Sequence, residues 1–351
     1  MTTRASMRRN GEPTRASGLG GVTRDRPLVT IGIPTYNRAD KTLRRALESA
    51  LAQDYPHLQV IVADNCSEDD TERVVREVGR DRVDYLRHPT NIGAEPNFNS
   101  LVARADGEFF LLLHDDDQID PDFVTSCVAA TGTARPGLIR TGTRVIGMDG
   151  QIVYSRRNQA TGASVTDLIH AWFTTKTSFY LCSTVFHTET LQAVGGFSSQ
   201  KHLFNDVATY VRVAAAAGSI EVPDVKATFL QHVGSLGKVG AVQAWAEDAK
   251  YVIDVMCDAV SRADAGQPTR PDGPWGSEPL SGEGLAAFRR DATAYFCRNC
   301  YHRAGRIEDP AERAMAFQAV HETLHCRQRP WQYRARRWAR SVIRKAGSSG
   351  S

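Results

Sequence analysis

The sequence predicts an α/β fold: a mostly parallel, Rossmann-like sheet with helices on both faces, followed by a helical C-terminal region. Three observations predict it. Between residues 27 and 125, short apolar runs alternate with stretches of helical periodicity, the rhythm of repeated strand–helix–strand units. Each of the main apolar runs ends in a polar cluster, as strands do where they meet a binding edge. Beyond residue 240 the pattern turns helical and the strand signals stop.

The elements follow in order. Residues 1–26, rich in Arg, Gly, Ser and Thr, read as a disordered basic leader without the apolar stretch of a signal peptide. Leu28 to Ile33 is a buried strand, and residues 34–38 (PTYNR) form the turn after it. Asp40 can cap a helix with Leu43, Ala46, Leu47, Ala50 and Leu51 on one face. His57 to Ala63 is a second strand, ending at the polar run 64–70 (DNCSEDD). A helix through Val74, Val75 and Val78 precedes a short strand near Val83 to Leu86, and Pro96 suits the first helical position before Phe98, Leu101 and Val102. The next strand, Phe109 to Leu113, runs into His114-Asp115-Asp116-Asp117. Helices are expected from near Pro121, from Thr166 and over 207–217, with a strand at 227–230. Residues 264–284 read as a linker, flanked by helical patterns at about 241–262, 285–304, 309–326 and 331–344.

Composition narrows the class. With 351 residues, 41% of them hydrophobic, the chain can bury a large core. A net charge of +3 does not argue for nucleic acid, and no apolar run reaches the roughly 18 residues of a membrane span. Seven cysteines without regular spacing fit a reducing cytoplasm better than a disulfide scaffold. The strand ends carry neither GxGxxG nor GxxxxGK[ST], which disfavours dinucleotide redox chemistry and P-loop hydrolysis.

The acidic cluster carries the chemistry. Three adjacent carboxylates repel one another unless a cation or solvent relieves them, and clustered carboxylate oxygens suit a hard divalent ion, Mg²⁺ or Mn²⁺. A solvated acidic turn is the alternative. The runs VTIGIPTYNR at 29–38, VADNCSEDDT at 62–71, Asn91-Ile92-Gly93 with Asn97, and His114 to Asp117 together resemble family 2 glycosyltransferases of the GT-A fold. The resemblance spans about residues 27–237, with a donor half to about 125 and an acceptor half to about 240.

That resemblance implies a nucleotide-sugar donor. Pro34, Thr35, Tyr36 and Arg38 match the loop that holds the nucleotide, with Tyr36 able to stack on the base. Asp64 matches the carboxylate that accepts a hydrogen bond from a pyrimidine N–H; Asn91 and Gly93 match a loop near the base and ribose. The Asp cluster matches the D-x-D metal element in one of two registers: His114 stands for the first carboxylate, or Asp115 and Asp117 are themselves the pair, with Asp116 close behind. His232 resembles a late metal-binding histidine, and a surface histidine is the plain alternative. Gly195-Gly196-Phe197 with Asn205-Asp206 resembles the acceptor segment, in which Asp206 matches the general base and Asn205 replaces the usual Glu. Either residue could equally be a helix cap. Trp172 and Phe173 could wall an acceptor pocket or simply pack in a core.

Further patterns carry less. His321 to His325 fits the zincin pattern HExxH, but no third ligand with metzincin spacing follows. With the lone Cys297-x-x-Cys300 it leaves a gap of roughly 20 residues, longer than the usual zinc-finger spacing, so core cysteines with exposed histidines are the plain alternative. Residues 327–345 hold eight basic side chains, no acids and three interleaved aromatics, which suits an anionic membrane surface or a solvated tail. The sequence thus predicts a cytoplasmic enzyme, peripheral at the inner membrane face if that tail binds lipid. By the resemblance to family 2 glycosyltransferases it would move a sugar from a UDP- or dTDP-sugar to an acceptor hydroxyl with inversion, using Mn²⁺ or Mg²⁺. A catalytically inactive nucleotide-sugar-binding protein and a sugar-phosphate nucleotidyltransferase are the competing readings. The latter needs a Gly-rich basic loop that residues 34–38 lack.

Overall fold

The structure, a computed structural model, describes residues 26–39, 41–161, 164–231, 239–262, 274–276 and 279–327. Its first half repeats one unit: β1 (Val29–Thr35), α1 (Lys41–Leu51), β2 (Leu58–Asp64), α2 (Thr71–Gly79), β3 (Asp84–Arg87), α3 (Ala94–Arg104) and β4 (Phe109–Leu112). These strands pair in parallel in the order β3-β2-β1-β4, so all four carboxyl ends share one edge. β1 is central and buried along its whole length, which its unbroken VTIGIPT run requires.

The second half comprises β5 (Gln118–Ile119), α4 (Phe123–Thr131), β6 (Leu138–Ile146), β7 (Ile152–Arg156), α5 (Val165–Phe173), β8 (Thr184–His187), α6 (Thr188–Ala193), α7 (Asn205–Ala217) and β9 (Ser219–Leu230). Here the sheet becomes mixed. It continues β4-β8-β6-β9-β5, with β8 antiparallel to both of its neighbours and β6 parallel to β9. The parallel expectation therefore applies strictly to β1–β4. Strand β6 had no apolar signature because Arg140, Thr141 and Thr143 are themselves buried.

Three helices complete the chain: α8 (Val239–Ser261), α9 (Gly282–Ala304) and α10 (Pro310–Leu324). Pro310 opens α10 behind an Asp309 side chain that accepts from the Glu312 amide at 2.7 Å. The predicted Pro96 start of α3 shifts by two residues, with Gly93 as the cap. The expected Asp40 cap, the helix at 331–344 and most of the basic tail lie outside the described residues.

Two apolar cores flank the sheet. On one face Ile31, Ile33, Val62 and Leu111 pack with α1, α2 and α4. On the other, Ile61, Leu112 and Phe186 join α3 and α5–α7, and the core continues through Val242, Ala249, Phe288, Phe296 and Phe317 of α8–α10. The C-terminal helices thus share the core of α3 and α5–α7.

The cysteine expectation needs correction. Cys297 on α9 is bonded to Cys326, just past α10, while the other five cysteines described are free. The helical hairpin brings together two residues that sequence spacing did not connect. The bond uses one of the CxxC sulfurs, and no metal-binding grouping forms there among the described residues.

Candidate active site

The loops after β1 and β2 are stitched into one surface. The Asn37 amide donates to Ser67 Oγ and the Glu68 amide donates back to Asn37 Oδ1, both at 2.8 Å; the Ala39 amide donates to Asp69 Oδ2 at 2.9 Å. Asn37 and Cys66 adopt left-handed φ of 51° and 67°, a conformation Asn tolerates better than Cys. Pro34 and Thr35 complete the buried end of β1, and the Thr35 hydroxyl has no partner among the described residues. Tyr36 points outward, 44% exposed, which leaves its ring free to stack.

Asp64 ends β2 fully buried. Its Oδ1 accepts from the Ser67 amide at 2.8 Å and its Oδ2 from the Tyr85 hydroxyl. Burial, then that carboxylate, push the Tyr85 phenol far above its ordinary range. The predicted pair Asn91 and Gly93 reaches Asn65, the neighbour of Asp64, and not Asp64 itself. The Asn65 amide group donates to Asn91 Oδ1 (2.8 Å) and the Gly93 carbonyl (3.2 Å), while its Oδ1 accepts from the Ile92 amide at 2.9 Å. Asn65 is a site-shaping residue that the sequence reading passed over.

The acidic cluster divides its work. The Asp115 carboxylate lies 4.0 Å from the Arg38 guanidinium and so ties the cluster to the first loop. Asp117 is 1% exposed, and its Oδ1 accepts from the Leu230 amide at 3.0 Å. Burial and the neighbouring Asp116 raise the Asp117 carboxyl well above its usual range, and the Cys182 thiol hydrogen-bonds to it. Ligand atoms of His114, Asp116 and Asp117 all lie within 4.8 Å of one another. The expected pairing of Asp115 with Asp117 is therefore not the grouping the geometry makes; Asp116 and His114 gather on Asp117. Burial lowers the His114 pKa, and its Nε2 is buried without a partner among the described residues. An imidazole whose Nδ1 lies 4.0 Å from Asp117 Oδ2, grouped with two carboxylates, is a donor set that Mn²⁺ or Mg²⁺ fits. His232 lies outside the described residues, shortly beyond Leu230.

The segment expected to serve the acceptor is assembled from distant parts of the chain. Gly195 and Gly196 take φ of 88° and 68°, and a Cβ on Gly196 would overlap Asn99. Asn99 needs that space, because it clamps both the amide and the carbonyl of Phe197 at 2.8 Å. The loop then meets Asp248 of α8. This fully buried carboxylate accepts from Ser199 Oγ (2.7 Å) and from the amides of Lys201 (2.8 Å), Leu203 (2.9 Å) and Phe204 (2.7 Å). Asp206 is not the cap of α7 but its second residue: its Oδ1 accepts from the adjacent Val207 amide and its own amide donates to Asn205 Oδ1, both at 2.7 Å.

Asp206 faces a cavity of about 380 Å³ with Trp172, Phe179, Phe204, Trp245, Tyr295 and Arg303 on its walls. Burial pushes its carboxyl up to about 6, with Asp248 adding to the rise and the Val207 amide and Arg303 opposing it. Trp172 both packs and lines: it stacks on Phe179 at 4.7 Å while bordering the cavity. Phe173 stacks on Tyr295 at 4.5 Å and belongs to the packing. Residues 177–183 join the two centres, since Phe179 and Tyr180 border the cavity and Cys182 bonds to Asp117. Sequence reasoning missed Asp248, Trp245, Tyr295 and Arg303. An acid inside the apolar stripe of Val242, Ala246, Ala249 and Val252 was the available signal for Asp248.

Residues 30–194 match the family described as Glycosyl transferase family 2. That matched segment, just under half of the chain, carries the family's pattern. Among curated relatives, the succinoglycan biosynthesis protein ExoO of Rhizobium meliloti (strain 1021) is 32% identical over 125 residues, 36% of each protein. The GalNAc(5)-diNAcBac-PP-undecaprenol beta-1,3-glucosyltransferase of Campylobacter jejuni is 36% identical over 96 residues, 26% of this chain and 31% of that one. The matches span about a third of these relatives' length. Among solved structures, S. aureus TarS 1–349 aligns with a TM-score of 0.57 at 18% identity, over 85% of this chain and 82% of that one. The mannosyltransferase PcManGT from Pyrobaculum calidifontis, in complex with GDP-Man and Mn²⁺, aligns with a TM-score of 0.54 at 19% identity, over 91% and 81%. Both alignments extend past residue 194 into the C-terminal helices and establish a shared GT-A fold.

Proposed function

We propose that this protein transfers a sugar from a UDP- or dTDP-sugar to an acceptor hydroxyl, with inversion at the anomeric carbon. The observation that carries this reading is Asp206: a carboxylate on a cavity wall, raised to about 6 by burial, poised to take a proton near neutral pH. The acceptor oxygen attacks the anomeric carbon as its proton passes to Asp206 and the bond to the nucleoside diphosphate breaks. Tyr36 stacks on the base, Arg38 meets a phosphate or the base edge, and Asp64 accepts from the base N–H through a lone pair left by Ser67 and Tyr85. Asn91 and Gly93, held by Asn65, shape the ribose side. His114, Asp116 and Asp117 would hold Mn²⁺ or Mg²⁺, which when bound offsets the charge of the departing diphosphate. Support for the donor class comes from solved structures of this fold in complex with UDP, UDP-GlcNAc and GDP-Man.

No described helix is long and apolar enough to cross a membrane, so contact with lipid would rest on the basic stretch 327–345. The test is hydrolysis of a nucleotide-sugar panel with Mn²⁺. Release of UDP or dTDP from one sugar class, stopped by EDTA, is expected. Tight nucleotide binding with no release from any donor would favour the non-catalytic binding protein instead.

A further inference from the structure

The cavity beside Asp206 contains more positive charge than a neutral acceptor calls for. Arg303 on α9 and Arg156 at the end of β7 both line it, with the Asn299 amide on the same wall. The Arg303 guanidinium carbon lies over the Trp245 ring, 3.6 Å from its centre, and no carboxylate comes within ion-pair distance among the described residues. Burial lowers its pKa, yet a guanidinium keeps its charge at any ordinary pH. Arg156 gives one nitrogen to the Thr175 carbonyl at 3.0 Å and sits 5.4 Å from the Tyr154 ring, which leaves its remaining donors unspent among the described residues.

Resting on the transferase reading, we infer that this cavity binds an acceptor carrying an anionic substituent, a carboxylate or a phosphate ester, beside the hydroxyl that faces Asp206. Asp206 balances Arg303 at longer range while it is ionised. It loses that charge on taking the acceptor proton, so Arg303 would face the transition state uncompensated unless the substrate brings an anion. The planar fork of a guanidinium pinned on an indole is pre-organised for a carboxylate or phosphate. Aromatic walls from Trp172, Phe179 and Tyr295 suit the apolar faces of the ring that bears the anion. The donor diphosphate is a poorer match for these arginines. His114, Asp116 and Asp117 are not among the residues that line the cavity.

The test uses paired probes read by tryptophan fluorescence, since Trp172 and Trp245 both border the cavity. Methyl glucoside is compared with methyl glucuronide, and glucose with glucose 6-phosphate, at low salt. At least one charged member should bind about ten-fold tighter than its neutral partner, the worth of one charge-assisted contact; which pair responds separates carboxylate from phosphate. Arg303→Gln should bring the pair to within about two-fold while UDP and dTDP affinity stays unchanged, and Arg303→Lys should retain part of the preference. Should Arg303→Gln fail to fold, Arg156→Gln and the wild type at high salt carry the test, and each should lose part of the preference. Equal binding of both members of each pair by the wild type overturns the inference. So does a folded Arg303→Gln that keeps the preference, or one that weakens nucleotide binding instead. Donor hydrolysis is measured separately: a charge preference without hydrolysis contradicts the transferase reading and leaves the anion site standing.

Discussion

The donor half and the acceptor cavity are built in opposite ways. The donor surface comes from strand ends within 29–117, and its loops are bonded directly to one another: Asn37 to Ser67, Asn65 to Asn91, Arg38 to Asp115. The cavity beside Asp206 draws on β7, α5, the 177–183 segment, α7, α8 and α9, and its key loop is held by Asp248 from outside the family-matched segment and by Glu95 and Asn99 of α3 from within it. Chemistry shared by every nucleotide sugar can sit in short runs of sequence. The proposed acceptor cavity is spread over a core that only the folded chain assembles.

If this contrast is right, damage to the donor half should remove chemistry or nucleotide binding, and damage to the clasp should remove the cavity alone. The largest effect is expected from Asp117→Ala, which takes away the residue on which His114 and Asp116 converge. Mn²⁺- or Mg²⁺-dependent turnover should be lost, and full wild-type activity in EDTA would remove the metal role of the cluster. Next comes Asp248→Ala, which leaves a hydroxyl and three amides without their acceptor. It should cost about 2–4 kcal/mol in denaturant unfolding and depress transfer, while UDP and dTDP affinity is unchanged. Weakened nucleotide binding would break the division between the halves. Asp64→Ala should do the reverse, weakening nucleotide affinity by calorimetry with little change in the chemical step, because its contact is the same in ground and transition states.

The smallest expected effect is on stability. The Asp206 carboxyl titrates at 3.8 when unperturbed and at about 6 in the fold, so the folded state holds the extra proton between these values. Its contribution is fully present below about 4 and is lost as pH rises through about 6. Asp206→Asn, which has no such titration, should gain in melting temperature relative to wild type between pH 4 and 7. A constant difference over that range would mean that the folded-state carboxyl is not raised.

What the sequence showed follows the same line. β1–β4 and their helices were legible because unbroken apolar strands and one-faced helices alternate, and the polar runs at the strand ends marked the edge where the donor residues lie. β6 and β8 were not, because buried Arg140 and Thr184 hide them from any apolar pattern. The Asp cluster was visible, but the turn that sends Asp115 toward Arg38 and gathers Asp116 onto Asp117 depends on three-dimensional packing. Asp206 was readable only through resemblance. That it stands second in its helix, with its carboxylate on the adjacent Val207 amide, shows only in the folded chain. Arg303 and Cys326 carry no local signal, since each acquires its role from a helix that folds back onto another.

The most direct test of the account is single-turnover sugar release as a function of pH for wild type and Asp206→Asn, with water or any hydroxyl acceptor the donor panel reveals. The wild-type rate should fall as pH drops through about 6, as Asp206 gains its proton. The Asn variant should be slower by roughly 10²–10⁴-fold and lack that limb, with nucleotide affinity and fold intact. Wild-type rates in a folded Asp206→Asn would place the general base elsewhere and contradict the central claim.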